Sequence, residues 1–258
     1  MLFIEYARAE HNLFVLRYKL YDDRLNAIIT SFVAMFVLSI LMFIVILPPA
    51  AGLSSVNIFP PDAKPYGLTY ADHIKNFWKW NLKIPANENP INDPTGAKCA
   101  AGQENSNSPV FYLAYNNGGT SNRTCKVPAG KSLFIPVMQV EKSDKEAPGS
   151  SIQDLDKSAK QDQDSVNSLY LKIGDKEYNY QDLLKYRTHT DAFDVVFPNN
   201  GIFGVMQGGP SKAVADGFYI ITEPLAKGTY PIHFKSSLLC TEPGCSEPNF
   251  AQDITCPI

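Results

Sequence analysis

The residues that could do chemistry in this chain fall into a few groups. Glu141, Asp144 and Glu146 stand within one short stretch, just past the apolar run Lys131–Val137. Three carboxylates in one loop offer the hard oxygens that Ca²⁺ prefers, but the ion wants about six to eight of them. The Asp-x-Asp-x-Asp-Gly spacing of a dedicated calcium loop is absent, so a solvated loop is the first reading and a Ca²⁺ site its rival. His233 sits between Ile232 and Phe234 on a strand candidate. Its ring therefore points away from both, as a surface histidine, a satisfied core histidine, or a metal or acid–base group. His73, His189 and His233 together would suit copper or zinc if the fold brought them together, and nothing in their spacing says that it does. Trp78 and Trp80 could stack on sugar rings. Two residues apart on a helix they point in different directions, which sends Trp78 to the core and leaves Trp80 as the binding candidate. No Gly-x-Ser-x-Gly elbow is present, and the glycine-rich run from Gly201 to Gly209 lacks the Lys-Ser/Thr ending of a phosphate loop.

The five cysteines are Cys99, Cys125, Cys240, Cys245 and Cys256. Cys99 and Cys125 bracket the first strand candidate and read as a disulfide pair. Cys240 and Cys245 could close a small loop, Cys256 could displace either of them, and one cysteine is left over. A zinc knuckle would need Cys-x-x-Cys pairs, which are missing.

These groups must be positioned by some 200 residues that follow a long uncharged stretch. Between Arg24 and Asp62 there is no charged side chain, and Ala27–Leu47 is apolar apart from Thr30, Ser31 and Ser39. At about 1.5 Å per residue that run spans roughly 31 Å, close to a bilayer's hydrocarbon core of about 30 Å. Arg17, Lys19 and Arg24 precede it, so the expected orientation is N-terminus inside and C-terminus outside. The expected division is a cytoplasmic helical leader (1–26), a transmembrane signal anchor (27–48), a Pro-rich spacer (49–68) and an extracytoplasmic β-rich domain (69–258). Cleavage near Ala50-Ala51-Gly52 would instead release a secreted protein.

Within that last segment, Thr69 with Asp72 three residues on reads as the cap of a helix to Leu82. Ile152, Leu155, Ala159 and Val166 keep helical spacing from Ser151 to about Asn167. The rest is short aromatic and β-branched runs between Gly/Pro turns: Val110–Tyr115, Lys131–Val137, Phe193–Phe197, a hairpin of Leu169–Ile173 with Lys176–Tyr178, and a second hairpin of Phe218–Thr222 with Thr229–Phe234. The expected fold is mainly β, a β-sandwich-like ectodomain with one or two packed helices, preceded by the single transmembrane helix.

Trp78-Lys-Trp80…Ile84-Pro85…Asn89-Pro90…Asp93-Pro-Thr-Gly96…Cys99…Gly102-Gln103, followed by Arg123-Thr-Cys125-Lys-Val-Pro-Ala-Gly-Lys131-Ser-Leu-Phe-Ile-Pro-Val137, resembles a family of exported prokaryotic proteins of unknown function. The resemblance runs from about Tyr70 to Phe234. It implies an extracytoplasmic domain and no assigned activity. The long leader and the Cys240/Cys245 insertion depart from it.

From Asp62 onward 19 Lys+Arg face 22 Asp+Glu, a balance that leaves no basic stripe and excludes nucleic acid as a partner. The expected function is a non-enzymatic, membrane-anchored binding domain for a partner protein or a surface glycan. The alternatives are an accessory subunit docked to other membrane-protein subunits, and an extracytoplasmic hydrolase or metal-dependent enzyme.

Overall fold

The computed structural model describes residues 17–26, 28–32, 35, 56–103, 107–241 and 249–258. The chain divides into two compact units, Met1–Gly52 and Leu53–Ile258.

In the first unit, residues 17–26 and 28–32 are helical, and Tyr18, Leu20, Tyr21, Leu25, Ile28, Ile29 and Phe32 are exposed. No helix among the described residues is long and apolar enough to cross a membrane. Neither the transmembrane helix expected over 27–48 nor the single-pass membrane placement is therefore supported. Most of 27–48 lies outside the described residues.

The second unit is mainly β, with two five-stranded sheets. The first sheet contains β1 (Val110–Tyr112), β3 (Ser132–Ser143), β6 (Arg187–His189), β7 (Phe193–Phe197) and β8 (Gly209–Ile221). Its order is β1-β3-β8-β6, with β7 also on β8. The second sheet runs β2 (Gly119–Asn122), β10 (Asn249–Thr255), β9 (Ile232–Leu239), β4 (Val166–Ile173) and β5 (Lys176–Tyr178). Most pairs are antiparallel, but β1–β3 and β2–β10 are parallel.

The β4–β5 hairpin forms as expected, with Ile173 opposite Lys176 around Gly174-Asp175. The second expected hairpin does not: β8 ends in one sheet and β9 begins in the other. Its two runs are each apolar enough to be central, and β9 finds its partners in β4 and β10 instead.

A bulge between Pro136 and Met138 interrupts the β3–β8 ladder. It leaves the Val137 carbonyl for the facing sheet, where Ser236 Oγ and Gln252 Nε2 each donate to it at 2.8 Å. Proline has no N–H to give a ladder, which makes Pro136 a natural bulge position. The two donors satisfy an acceptor that would otherwise be buried and unpaired, and they fix one sheet against the other.

Three α-helices among the described residues accompany the sheets. α1 (Tyr70–Leu82) starts at a capping box in which Thr69 and Asp72 exchange hydrogen bonds, and its buried side includes Ile74, Phe77, Trp78 and Leu82. α2 (Ile152–Asp164) has the same device at Ser151 and Asp154. It ends before Asn167 because β4 takes the chain from Val166. Through Leu155 and Ala159, α2 packs against Val214 of β8. α3 (Tyr180–Leu184), capped by Asn179, was not signalled by periodicity, being a single turn and a half. Arg187 donates twice to buried Asp216 from Nε and once from Nη2 at 2.8 Å, and also pairs with Asp164 at 2.6 Å. This ties β6, β8 and the end of α2 together.

Candidate functional site

The structure separates the three acidic residues of the 141–146 stretch. Asp144 turns to β8, accepting from Ser211 Oγ and from the Lys212 backbone N–H at 3.3 Å. Glu141, near the end of β3, and Glu146, in the following turn, instead line one cavity of about 210 Å³. Around them stand Trp78, Tyr115, Phe203 and Phe250 as apolar walls, and Gln139 and Gln163 as further polar groups.

Glu141 is 5% exposed, and no N–H or O–H donor reaches either of its carboxylate oxygens. Gln139 Oε1 and both polar atoms of the Gln163 amide are likewise buried without partners. The Ser143 hydroxyl donates to Glu146 at 2.5 Å. Burial first, and then the neighbouring Glu146 charge, push the Glu141 carboxyl well above the usual range. Burial also raises Glu146, while the neighbouring Glu141 works the other way. Both directions fit a pair of carboxyls that together retain a proton. Lys142, next to the pair, is ion-paired with Asp162 at 2.9 Å, and its charge only partly offsets the upward shift of the two carboxyls.

Phe203 forms part of the cavity lining with 42% exposure. Its backbone stands at φ 58°, a left-handed conformation that a bulky side chain rarely adopts. Such strain costs about 1–3 kcal/mol and concentrates where a side chain must be presented to a ligand.

The remaining candidates do not join this site. Trp80 is buried, stacks on Tyr112 at 5.3 Å, and donates its indole N–H to the Ala101 carbonyl. The expectation of a free Trp80 is thus corrected: both tryptophans are buried because the 83–103 segment covers one of them, and Trp78 is the one that borders the cavity. His233 Nε2 donates to the Asp253 carboxylate at 2.7 Å, beside the Tyr170 ring. His189 pairs with Asp156. His73 is buried against the Pro65 carbonyl, and burial lowers its pKa. The three imidazoles are satisfied separately, and no cluster of His, Cys, Asp or Glu among the described residues is arranged to hold a metal ion. The calcium loop is not assembled either, since Asp144 faces away and the other two carboxyls are pushed toward their neutral forms, which are poor ligands.

Cys99 and Cys125 are free thiols, not the expected disulfide, and Cys256 is free and buried with them. Cys240 is disulfide-bonded.

Of the residues that build the cavity, Gln139, Gln163, Phe203 and Phe250 had no signal in the sequence. Phe203 was only one member of the Gly201–Gly204 run, and the others come from strands and a helix far apart in the chain.

The class these features define is a two-sheet β protein with a carboxyl-floored, aromatic-walled cavity. No family model matches the chain, and no curated protein matches it. Among solved structures it is similar to the one described as "Structure of PbICP-C in complex with falcipain-2", with 13% identity over 58% of this chain and 97% of that one. The TM-score is 0.21, too low for any argument about fold or function.

Proposed function

We propose that the second unit is a binding domain whose cavity takes a small carbohydrate, one sugar ring at the end of a glycan. The observation that carries this reading is the floor of the cavity, where Glu141 has two buried oxygens with no donor and Gln139 Oε1 and both polar atoms of the Gln163 amide are unpaired. Buried acceptors without donors are costly, and a ligand rich in hydroxyl groups supplies what they lack. The aromatic walls suit the apolar face of a pyranose. A volume of about 210 Å³ is below the range of drug-sized pockets, roughly 300–1,000 Å³, and fits a single ring.

Trp78 reports on the site directly. Titration of the full chain with glucose, galactose, mannose and N-acetylglucosamine, each to about 50 mM, is expected to give a saturable change in tryptophan fluorescence for at least one sugar. Phe203→Ala, at an exposed position, is expected to weaken that response about tenfold, the loss of roughly 1.4 kcal/mol of contact. No response to any of the four, or an unaltered Phe203→Ala titration, would count against the proposal.

A further inference from the structure

Three of the five cysteines come from distant parts of the chain and meet at one place. β2 and β10 are parallel neighbours, with Asn122 opposite Thr255. Parallel pairing puts both strand exits at the same end, so Cys125 and Cys256 leave side by side. The Arg123 N–H donates to the Thr255 carbonyl at 2.8 Å, and the Cys125 N–H to the Pro257 carbonyl at 3.1 Å.

The third cysteine arrives on the 93–99 turn. The Thr124 N–H donates to the Thr95 carbonyl at 3.0 Å, and Cys99 closes the turn onto Gly96. Gly96, at φ 87°, lies so near this segment that an added Cβ would stand 2.5 Å from the Thr124 carbonyl oxygen. Only glycine permits that approach. As a result the Cys125 thiol is in hydrogen-bonding contact with both Cys99 and Cys256. All three are buried, at 7%, 4% and 3% exposure.

Arg123 lies buried in the same place, its Nε without a partner. A guanidinium there favours thiolates and opposes a metal cation.

We propose that Cys99, Cys125 and Cys256 form one thiol–disulfide exchange site, in which Cys125 bonds to either neighbour in turn and a low-molecular-weight disulfide is the oxidant. Cys99 is the first nucleophile: the hydrogen bond from Cys125 lowers its pKa, whereas the bonds that Cys125 makes to Cys256 and Cys99 raise its own. The Cys99 thiolate attacks the small disulfide and expels one thiolate. Cys125, losing its proton to solvent, attacks the Cys99 sulfur and expels the second. Two protein thiols are oxidised and one small disulfide is reduced to two thiols. Cys256 then attacks the Cys125 sulfur and releases Cys99 as thiolate, an isomerisation without net redox change. The Cys99–Cys125 bond closes a short loop, while Cys125–Cys256 ties the last strand to the first half of the chain.

The test uses the full chain, reduced and then incubated with oxidised glutathione, followed by peptide mapping under acid quench. Wild type is expected to yield both a Cys99–Cys125 and a Cys125–Cys256 peptide. Cys99→Ser, which lacks the first nucleophile, is expected to yield neither bond in the same time, and Cys256→Ser only the former, with the loss of two free thiols. The wild-type map stands even if a variant fails to fold. A Cys99–Cys256 link, a Cys125 bonded to only one partner in wild type, a Cys125 left free, or one zinc ion copurifying with the three thiols would each overturn the proposal.

Discussion

Glu141→Gln is expected to stabilise the protein at pH 8 and to flatten its pH dependence. In the folded chain the Glu141 carboxyl is buried, lacks a donor, and has Glu146 as its neighbour, so its pKa stands well above that of the unfolded chain. Glu146 is raised as well, by burial. Between the unfolded and folded pKa values the folded state holds more protons than the unfolded one. Stability is then fully present below the ordinary carboxyl pKa and falls as pH rises toward the folded value. The slope approaches about 1.4 kcal/mol per pH unit for each extra proton, so roughly 3 kcal/mol is lost over two units. Glutamine keeps the shape, carries no charge, and offers Glu146 an N–H in place of the shared proton. Urea denaturation at pH 5, 6, 7 and 8 measures this directly. A wild type that grows more stable from pH 5 to 8 would contradict the buried, proton-sharing pair.

Phe77→Ala is expected to cost about 3–5 kcal/mol, the usual range for emptying a buried aromatic position. Phe77 is fully buried on α1 and is the ring that joins the helix to the first sheet. It stacks on Phe134 at 5.1 Å and meets Trp78 at 5.2 Å, Tyr112 at 5.8 Å and Tyr219 at 6.5 Å. These partners come from α1, β1, β3 and β8, and none of them can move in to fill the space without breaking a ladder. For a unit of this size such a loss lowers the melting temperature by roughly 10 °C or more. Chemical and thermal melts both report it. A change below about 1 kcal/mol would mean that α1 is not held on the sheets through this ring.

Local features were legible in the sequence because their causes are local. A Thr three residues before Asp sets the start of α1, since both halves of the capping box lie within one turn, and the spacing of Ile152, Leu155 and Ala159 marks α2. A two-residue Gly-Asp link between alternating runs is enough to define β4–β5. The mainly β character follows from short aromatic and β-branched segments cut by Gly and Pro. An apolar run, by contrast, reports only that it avoids water. The stretch 27–48 has the composition of a span, yet no described helix is long and apolar enough to be one. The runs at Phe218–Thr222 and Thr229–Phe234 have the composition of a hairpin, yet each pairs elsewhere because other strands offer better edges.

The cavity and the thiol cluster depended on tertiary structure entirely. Glu141 and Asp144 are three residues apart, and the end of β3 with the turn after it sends one into a cavity and the other to β8. Gln163 reaches the same cavity from α2 and Phe250 from β10. The sequence paired Cys99 with Cys125 as a disulfide, where the structure has free thiols, and it could not place Cys256 beside them. That requires the parallel β2–β10 pairing across more than half the chain, and parallel partners leave no turn signal between them.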